Sequence, residues 1–445
     1  MATEHEHHGA GHGEHHHGPK PLPATLTAPA EVGAWRMRAL IVAVVFTLVS
    51  LAFLAAPMGV QHLGRAYLTG FMMCFNLVGG ALAFLMVQYV SGGKWGHILR
   101  RPLEAMTRGW IIVVGMFLPI GFAVLKGHLY LWAKYTTPEQ TLAAYKNGAL
   151  GLEEHLDIDY RHVMLNPGAA IVQALIFFAF IGTVITLLNK WSLERDADPA
   201  AGTMASFDKW RVKFENLSGP SILLYVILMT DFVIVFVKSL DVLWASSVYG
   251  LQFLVAQGYG MLAVGILTLI LLSRYEPIKS LFRTTEQHDL GKLTFAFVML
   301  NIYLTFAEFL IIYSGNVPDE IEWYLARIHG GWWVICSLDA ICHWVIPFSI
   351  LLSRNIKRSK AKMIWVAAFM IFARFIDLFW LIEPNFKNAR EKLTSEPWSI
   401  FAYVTVPVGM VAILIYFYLG ELTKRPLLNV NDPHTAELLE PEHAH

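Results

Sequence analysis

Apolar residues run along the chain in blocks of about twenty, separated by short polar stretches that carry most of the Lys and Arg. A hydrocarbon core about 30 Å thick takes about 20 helical residues to cross. The blocks therefore predict ten membrane-spanning helices, at 39–57, 67–90, 110–133, 168–189, 219–240, 247–273, 293–314, 331–353, 363–382 and 398–420. The block at 247–273 is long enough to tilt or to project into water. Ser218-Gly219-Pro220 reads as the cap and first turn of the fifth helix. The first block follows a polar leader and is long enough to stay as a span, so it reads as a helix and not as a cleaved signal.

The charges between the blocks orient them. With the N-terminus inside, 23 of the 34 Lys and Arg fall in inner segments and 10 at the outer side, with Arg374 left inside a span. This predicts a bacterial inner-membrane protein with both termini cytoplasmic. Trp and Tyr gather near the span ends as an interfacial belt. The one sizeable outer loop, 134–167, carries Glu153, Glu154, Asp157 and Asp159 and is a candidate docking surface.

Composition agrees. The 445 residues are 56% hydrophobic and 15% charged, where a soluble domain would have about 25% charged. A net charge of +0 gives no footprint for nucleic acid. Cys74, Cys336 and Cys342 are too few and scattered for a disulfide framework or an iron–sulfur cluster. Residues 1–35 form a His-rich cytoplasmic tail with no means of building a core and, at most, weak metal affinity. Residues 36–420 form the membrane domain, and 421–445 a second cytoplasmic tail.

The candidate chemistry lies where charge is expensive. An ionised side chain at mid-membrane costs about 2.5–3.5 kcal/mol on insertion scales, so such residues face a protein interior or a watery cavity. Asp231 falls near the middle of the fifth span, with Lys238 one heptad outward on the same face and Asp241 at the mouth. Asp339 and His343 share a face of the eighth. Arg374 and Asp377 lie three apart in the ninth, and Glu308 sits in the outer half of the seventh. Each has a plainer reading: Arg374–Asp377 as a static ion pair, His343 bonded to Asp339, Lys238 and Asp241 snorkelling to the surface. The ionisable groups run from midplane outward, and the inner halves of the spans carry almost none. That distribution describes an outward-opening polar half-channel. A second group, His62, Arg65, Tyr67, Lys126, His128 and Tyr130, gathers at the outer ends of the second and third helices. Tyr67, Lys126, His128 and Tyr130 are the quinone-binding candidates. His343 is the one histidine near mid-membrane, which leaves no pair for bis-histidine haem. No phosphate loop, nucleotide fingerprint or zinc spacing is present in the sequence.

Three stretches carry a resemblance: Tyr67-Leu68-Thr69-Gly70-Phe71 leading to Trp95-Gly96-His97-Ile98-Leu99-Arg100-Arg101-Pro102-Leu103-Glu104; His343-Trp344-Val345-Ile346-Pro347-Phe348 with the basic run to Lys362; and Arg374-Phe375-Ile376-Asp377. With the ten-span layout, they make the chain similar to NrfD-like (polysulfide-reductase-type) membrane subunits, closest to the smaller such subunit of bacterial alternative complex III. The resemblance implies an all-α integral membrane fold of two pseudo-symmetric four-helix bundles, about 67–240 and 247–382, with a flanking helix at each end. It implies a non-redox subunit of a quinol:cytochrome c or quinol:acceptor oxidoreductase. Its partners would be a larger NrfD-like subunit, a periplasmic iron–sulfur subunit, multihaem cytochromes and a terminal oxidase. It implies no cofactor on ligands of its own, with quinone or quinol as the ligand. The alternatives are a secondary transporter with a midplane site and a purely structural anchor; Gly79-Gly80, Pro119, Pro347 and Pro407 do not break the two halves at corresponding places, as transporters usually do.

Overall fold

The computed structural model describes residues 23, 25–56, 58–200, 203–386, 398–429 and 432. The His-rich segment 1–22, the loop cations Lys387, Arg390 and Lys392, and residues 433–445 lie outside them. The described chain is helical, without strands. Ten helices are long and apolar enough to cross a membrane: α1 Glu31–Ala55, α2 Gly59–Ser91, α3 Trp95–Leu125, α4 Pro167–Asp196, α5 Met204–Leu240, α6 Tyr249–Leu272, α7 Thr284–Gly315, α8 Trp332–Leu352, α9 Lys360–Asn385 and α10 Ser399–Leu422. Large apolar side chains point outward, among them Leu118, Leu223, Ile311 and Trp365. A surface this oily fits a lipid environment, in which helices satisfy their own backbone. The protein is a multi-pass membrane protein.

Helices α2, α3, α4 and α5 close one ring of neighbours, and α6, α7, α8 and α9 close another in the same cyclic order. The first helix of each ring, α2 and α6, packs against its counterpart, and both are buried on almost every side. α1 pairs with α10, and α10 lies along α2. Ten crossings bring the start of α1 and the end of α10 to one face, the terminal face, where the Leu427 N–H donates to the Leu26 carbonyl at 2.7 Å. The start of the C-terminal segment is therefore packed, with Leu427, Leu428 and Asn429 buried.

Two boundaries differ from the pattern. α5 begins at Met204, where the Thr203 side chain accepts from the Ser206 N–H, so Ser218-Gly219-Pro220 is no cap and Pro220 lies inside the helix. Membrane helices tolerate such a proline because neighbours re-satisfy the freed carbonyl. α3 stops at Leu125 and not at 133, because Gly127 and Leu129 adopt φ of +69° and +73° and break the helix. α3 also has a joint at Arg108-Gly109; its first part, Lys94–Thr107, is amphipathic.

The α2–α6 contact depends on missing side chains. In hydrocarbon, helices associate through close packing and not through hydrophobic exclusion. A Cβ on Gly80 would lie 2.5 Å from the Gln257 carbonyl oxygen, a backbone atom that cannot swing aside. Gly80→Ala should therefore force the two rings apart and destabilise the protein by about 1–3 kcal/mol. Gly115→Ala, with nothing within 4 Å of its Cβ, should leave stability unchanged. Unfolding midpoints in detergent compare the two.

Candidate functional site

The α6–α9 ring holds a group of charged side chains away from both water and lipid. Asp339 and His343 come from α8, Arg374 and Asp377 from α9; their exposures are 2%, 0%, 1% and 8%. Arg374 forms an ion pair with Asp377, as the spacing of three predicts. Its guanidinium nitrogens make no aligned hydrogen bond, and it lies over the Phe253 ring at 5.2 Å. His343 is not bonded to Asp339: both ring nitrogens and Asp339 Oδ1 are without partners among the described residues. The Tyr259 ring packs on the imidazole at 4.3 Å between centroids.

Local backbone geometry sets this arrangement. α8 widens into a π-turn over Ala340–Val345. Pro347 offers no N–H to the His343 carbonyl and would clash with it in a regular helix. A π-turn relieves this, and such turns gather at functional sites. One donor atom each from Asp339, His343 and Asp377 lie within 4.8 Å of one another. That set matches the ligand types of a small cation, but Arg374 already supplies one positive charge to it. Two carboxylates against one guanidinium leave a single negative charge, which one proton would neutralise.

The group connects outward. Glu308 accepts from the Ser246 hydroxyl and from Gln252 Nε2 at 2.8 Å. Glu308, Gln252, Asn301, Arg374 and Asp377 line an enclosed cavity of about 20 Å³, room for about one water. Ser246 also lines a groove of ≈ 630 Å³ with Asp231, Lys238, Ser239 and Gln173. Lys238 and Asp241 are buried, at 8% and 6%, and so do not snorkel. Asp231 is half-buried and faces the groove. Asp231 thus lines the groove, Glu308, Arg374 and Asp377 line the small cavity, and Asp339 and His343 lie beside Asp377; Lys238 lies on the groove's wall and Asp241 beside it.

The other candidates separate. The Tyr130 hydroxyl donates to the Phe236 carbonyl at 2.8 Å, and burial pushes the phenol up. The Tyr67 hydroxyl donates to the Met116 carbonyl at 2.9 Å. Lys126 and His128 are exposed. His62 and Arg65 turn away from them into a cluster the sequence did not suggest: Arg65 pairs with Glu383 at 3.2 Å, Tyr403 donates to Glu383 at 2.6 Å, and His62 Nδ1 meets the Tyr403 hydroxyl at 3.1 Å. Because that hydroxyl is spent on Glu383, His62 Nδ1 must be the donor.

The sequence also missed a charge network at the terminal end of the α2–α5 ring. Arg101 pairs with Glu104 at 2.7 Å and with Asp196; Ser192 donates to Glu104 at 2.7 Å; Arg108 pairs with Glu421 at 2.6 Å. His97 and Glu104, expected in a loop, lie on a helix. Lys94–Thr107 reads as a polar loop by hydropathy, yet as an amphipathic helix it folds its charges inward against α4 and α10. Asp432 closes the network between Arg100 and Arg195. Burial alone would raise its carboxyl; Arg100, Arg195 and His97 override that and hold it well below the usual carboxylate range.

No protein-family model matches the sequence, and comparison with curated proteins finds no match.

Two outcomes follow. Arg374→Met strands two buried carboxylates and should cost about 3–5 kcal/mol; adding Asp377→Asn should recover most of it. Equal unfolding midpoints for the single and double variants would show that the pair is not coupled. A carboxyl whose folded pKa is depressed stabilises above its unfolded pKa and loses that contribution as pH falls. The stability difference between the wild type and Asp432→Asn should thus be full at pH 7 and shrink below about pH 4.

Proposed function

We propose that this chain is a non-redox membrane subunit of a quinol-oxidising respiratory complex, resident in the bacterial cytoplasmic membrane with its terminal face in the cytoplasm. On this reading the groove receives a quinol head and the α6–α9 ring carries protons. The observation that carries the proposal is a series of neighbouring polar groups: Asp231 and Ser246 line one groove, Ser246 bonds Glu308, Glu308 shares a small cavity with Arg374 and Asp377, and Asp377 lies beside Asp339 and His343. Oil-buried ionisable groups in series, joined by a hydroxyl and a water-sized cavity, are the material of a proton relay.

The groove suits a quinone better than the outer-end residues do. Its volume lies within the 300–1,000 Å³ usual for small-ligand sites, and its walls are mostly apolar, lined by Val163, Met164, Leu165, Ile234 and Val235. Lys238 would donate to a quinone oxygen and Asp231 would accept a quinol proton. Oxidation of one quinol yields quinone, two electrons and two protons. The electrons would leave to an iron–sulfur or haem partner, and the protons would enter the carboxylate series. The positive-inside distribution supports the orientation.

A partner surface is at hand on the face opposite the termini. The helix Leu152–Arg161 and the turn after it expose Leu152, Leu156, Tyr160 and Val163 at 52%, 56%, 85% and 84%. Their spacing puts them on one stripe, beside Glu153, Glu154 and Asp157.

The assay is quinol oxidation by the intact assembly in vesicles, with a pH dye reporting proton release. Glu308→Gln and Asp339→Asn should cut proton release at least tenfold while quinol binding persists. Asp231→Asn should raise the KM for quinol about tenfold, the loss of one charged hydrogen bond. Unchanged proton release in both relay variants would sink the relay; unchanged KM would move the quinol elsewhere.

A further inference from the structure

We propose that the terminal end of the α2–α5 ring holds the phosphate group of an anionic membrane lipid. The site is a pocket of ≈ 280 Å³ between the ends of α2 and α4 and the start of α5, whose lining includes the cations Arg100, Arg195 and Arg211, the carboxylates Asp432 and Glu215, and Gln88.

Three observations point to an anion. The first is charge. Five guanidiniums (Arg100, Arg101, Arg108, Arg195, Arg425) meet four carboxylates (Glu104, Asp196, Glu421, Asp432) in the buried network. Lys424 adds to the excess at the exposed edge. A buried charge without a counter-charge is costly, and among the described residues the network is short of one negative group.

The second is the identity of the unpaired atoms. Arg195 has a side chain only 8% exposed and bonds Asp432 through Nη1 at 3.1 Å; among the described residues its Nε and Nη2 have no partner. Gln88 accepts from Arg100 Nε at 2.9 Å, and among the described residues its Nε2 has no partner. All three are donors. Phosphate offers only acceptors, and the guanidinium fork matches it bidentately. The chain's own carboxylate at Asp432 already sits against Arg100 and Arg195, so the socket accepts an anion of this kind.

The third is position. The pocket opens where α2 and α4 end, the level at which lipid phosphates lie. Arg211 stands half-exposed at its rim, and Trp210, Phe214 and Phe207 supply an aromatic wall beside it. A basic pocket between helix ends with an aromatic flank suits a lipid head better than a free ion.

The test uses the full-length protein in detergent, with bound phospholipid read by native mass spectrometry. Phosphatidylglycerol, phosphatidylcholine and inorganic phosphate are added separately. Phosphatidylglycerol should be retained at least tenfold more tightly than phosphatidylcholine. Arg195→Lys keeps the charge but removes the fork, and should lose most of that preference. Arg211→Gln, at an exposed position that does not threaten folding, should weaken it several-fold. Equal retention of the two lipids, or phosphatidylglycerol binding unchanged in both variants, would overturn the proposal. Displacement of the lipid by inorganic phosphate at equal concentration would overturn the lipid as the source of the phosphate.

Discussion

The cost of holding charge in a medium that cannot solvate it organises this molecule. Arg374 in the α6–α9 ring is the clearest case. A guanidinium with 1% exposure persists because Asp377 touches it and Asp339 lies within electrostatic reach. The pairing is incomplete: seven nitrogen and oxygen atoms of Asp339, His343, Arg374 and Asp377 have no aligned hydrogen bond. A purely structural ion pair would be expected to satisfy its atoms, since each orphan costs about 1–3 kcal/mol. On the proposed relay, these open atoms are where a proton would be taken up and given away.

The scaffold makes that trade tolerable by staying rigid elsewhere. In the α2–α5 ring Phe232 stacks on Phe75 at 4.8 Å and packs on Phe177 at 4.9 Å and Phe236 at 4.7 Å. These aromatic rings carry no polar atom of their own to satisfy. The two rings thus divide the labour. One is aromatic through its middle, with Asp231 on its groove side and its charge network at the terminal end; the other carries charge through its centre. They meet along α2 and α6, where glycines allow backbones to touch.

Much of this was legible in the sequence. The count of ten helices followed from block length alone, because the bilayer admits few alternatives. Asp231, Glu308, Asp339, His343, Arg374 and Asp377 stood out because each is an anomaly in its own span. Their joining was not legible. Ser246 looks like any loop serine until α6 and α7 bring it onto Glu308. Glu383 was hidden because it sits at the end of α9, where carboxylates are ordinary, and only Arg65 and Tyr403 from distant helices make it a buried group. Lys94–Thr107 misled most, because hydropathy averages over a helix whose charged face turns inward.

The two charge imbalances are opposite in sign and lie in different environments. The mid-ring cluster has one negative charge too many and no lipid head within reach, so a proton is the counter-ion its surroundings can deliver. The terminal network has one positive charge too many at a membrane surface, where phosphate is abundant. α2 and α6 connect them mechanically: Tyr89 near the end of α2 stacks on Phe214 at 4.1 Å beside the socket, and α6 presents Gln252 to Glu308 and Tyr259 to His343. Gly80 leaves that pair no slack, because a Cβ there would meet the Gln257 carbonyl oxygen at 2.5 Å.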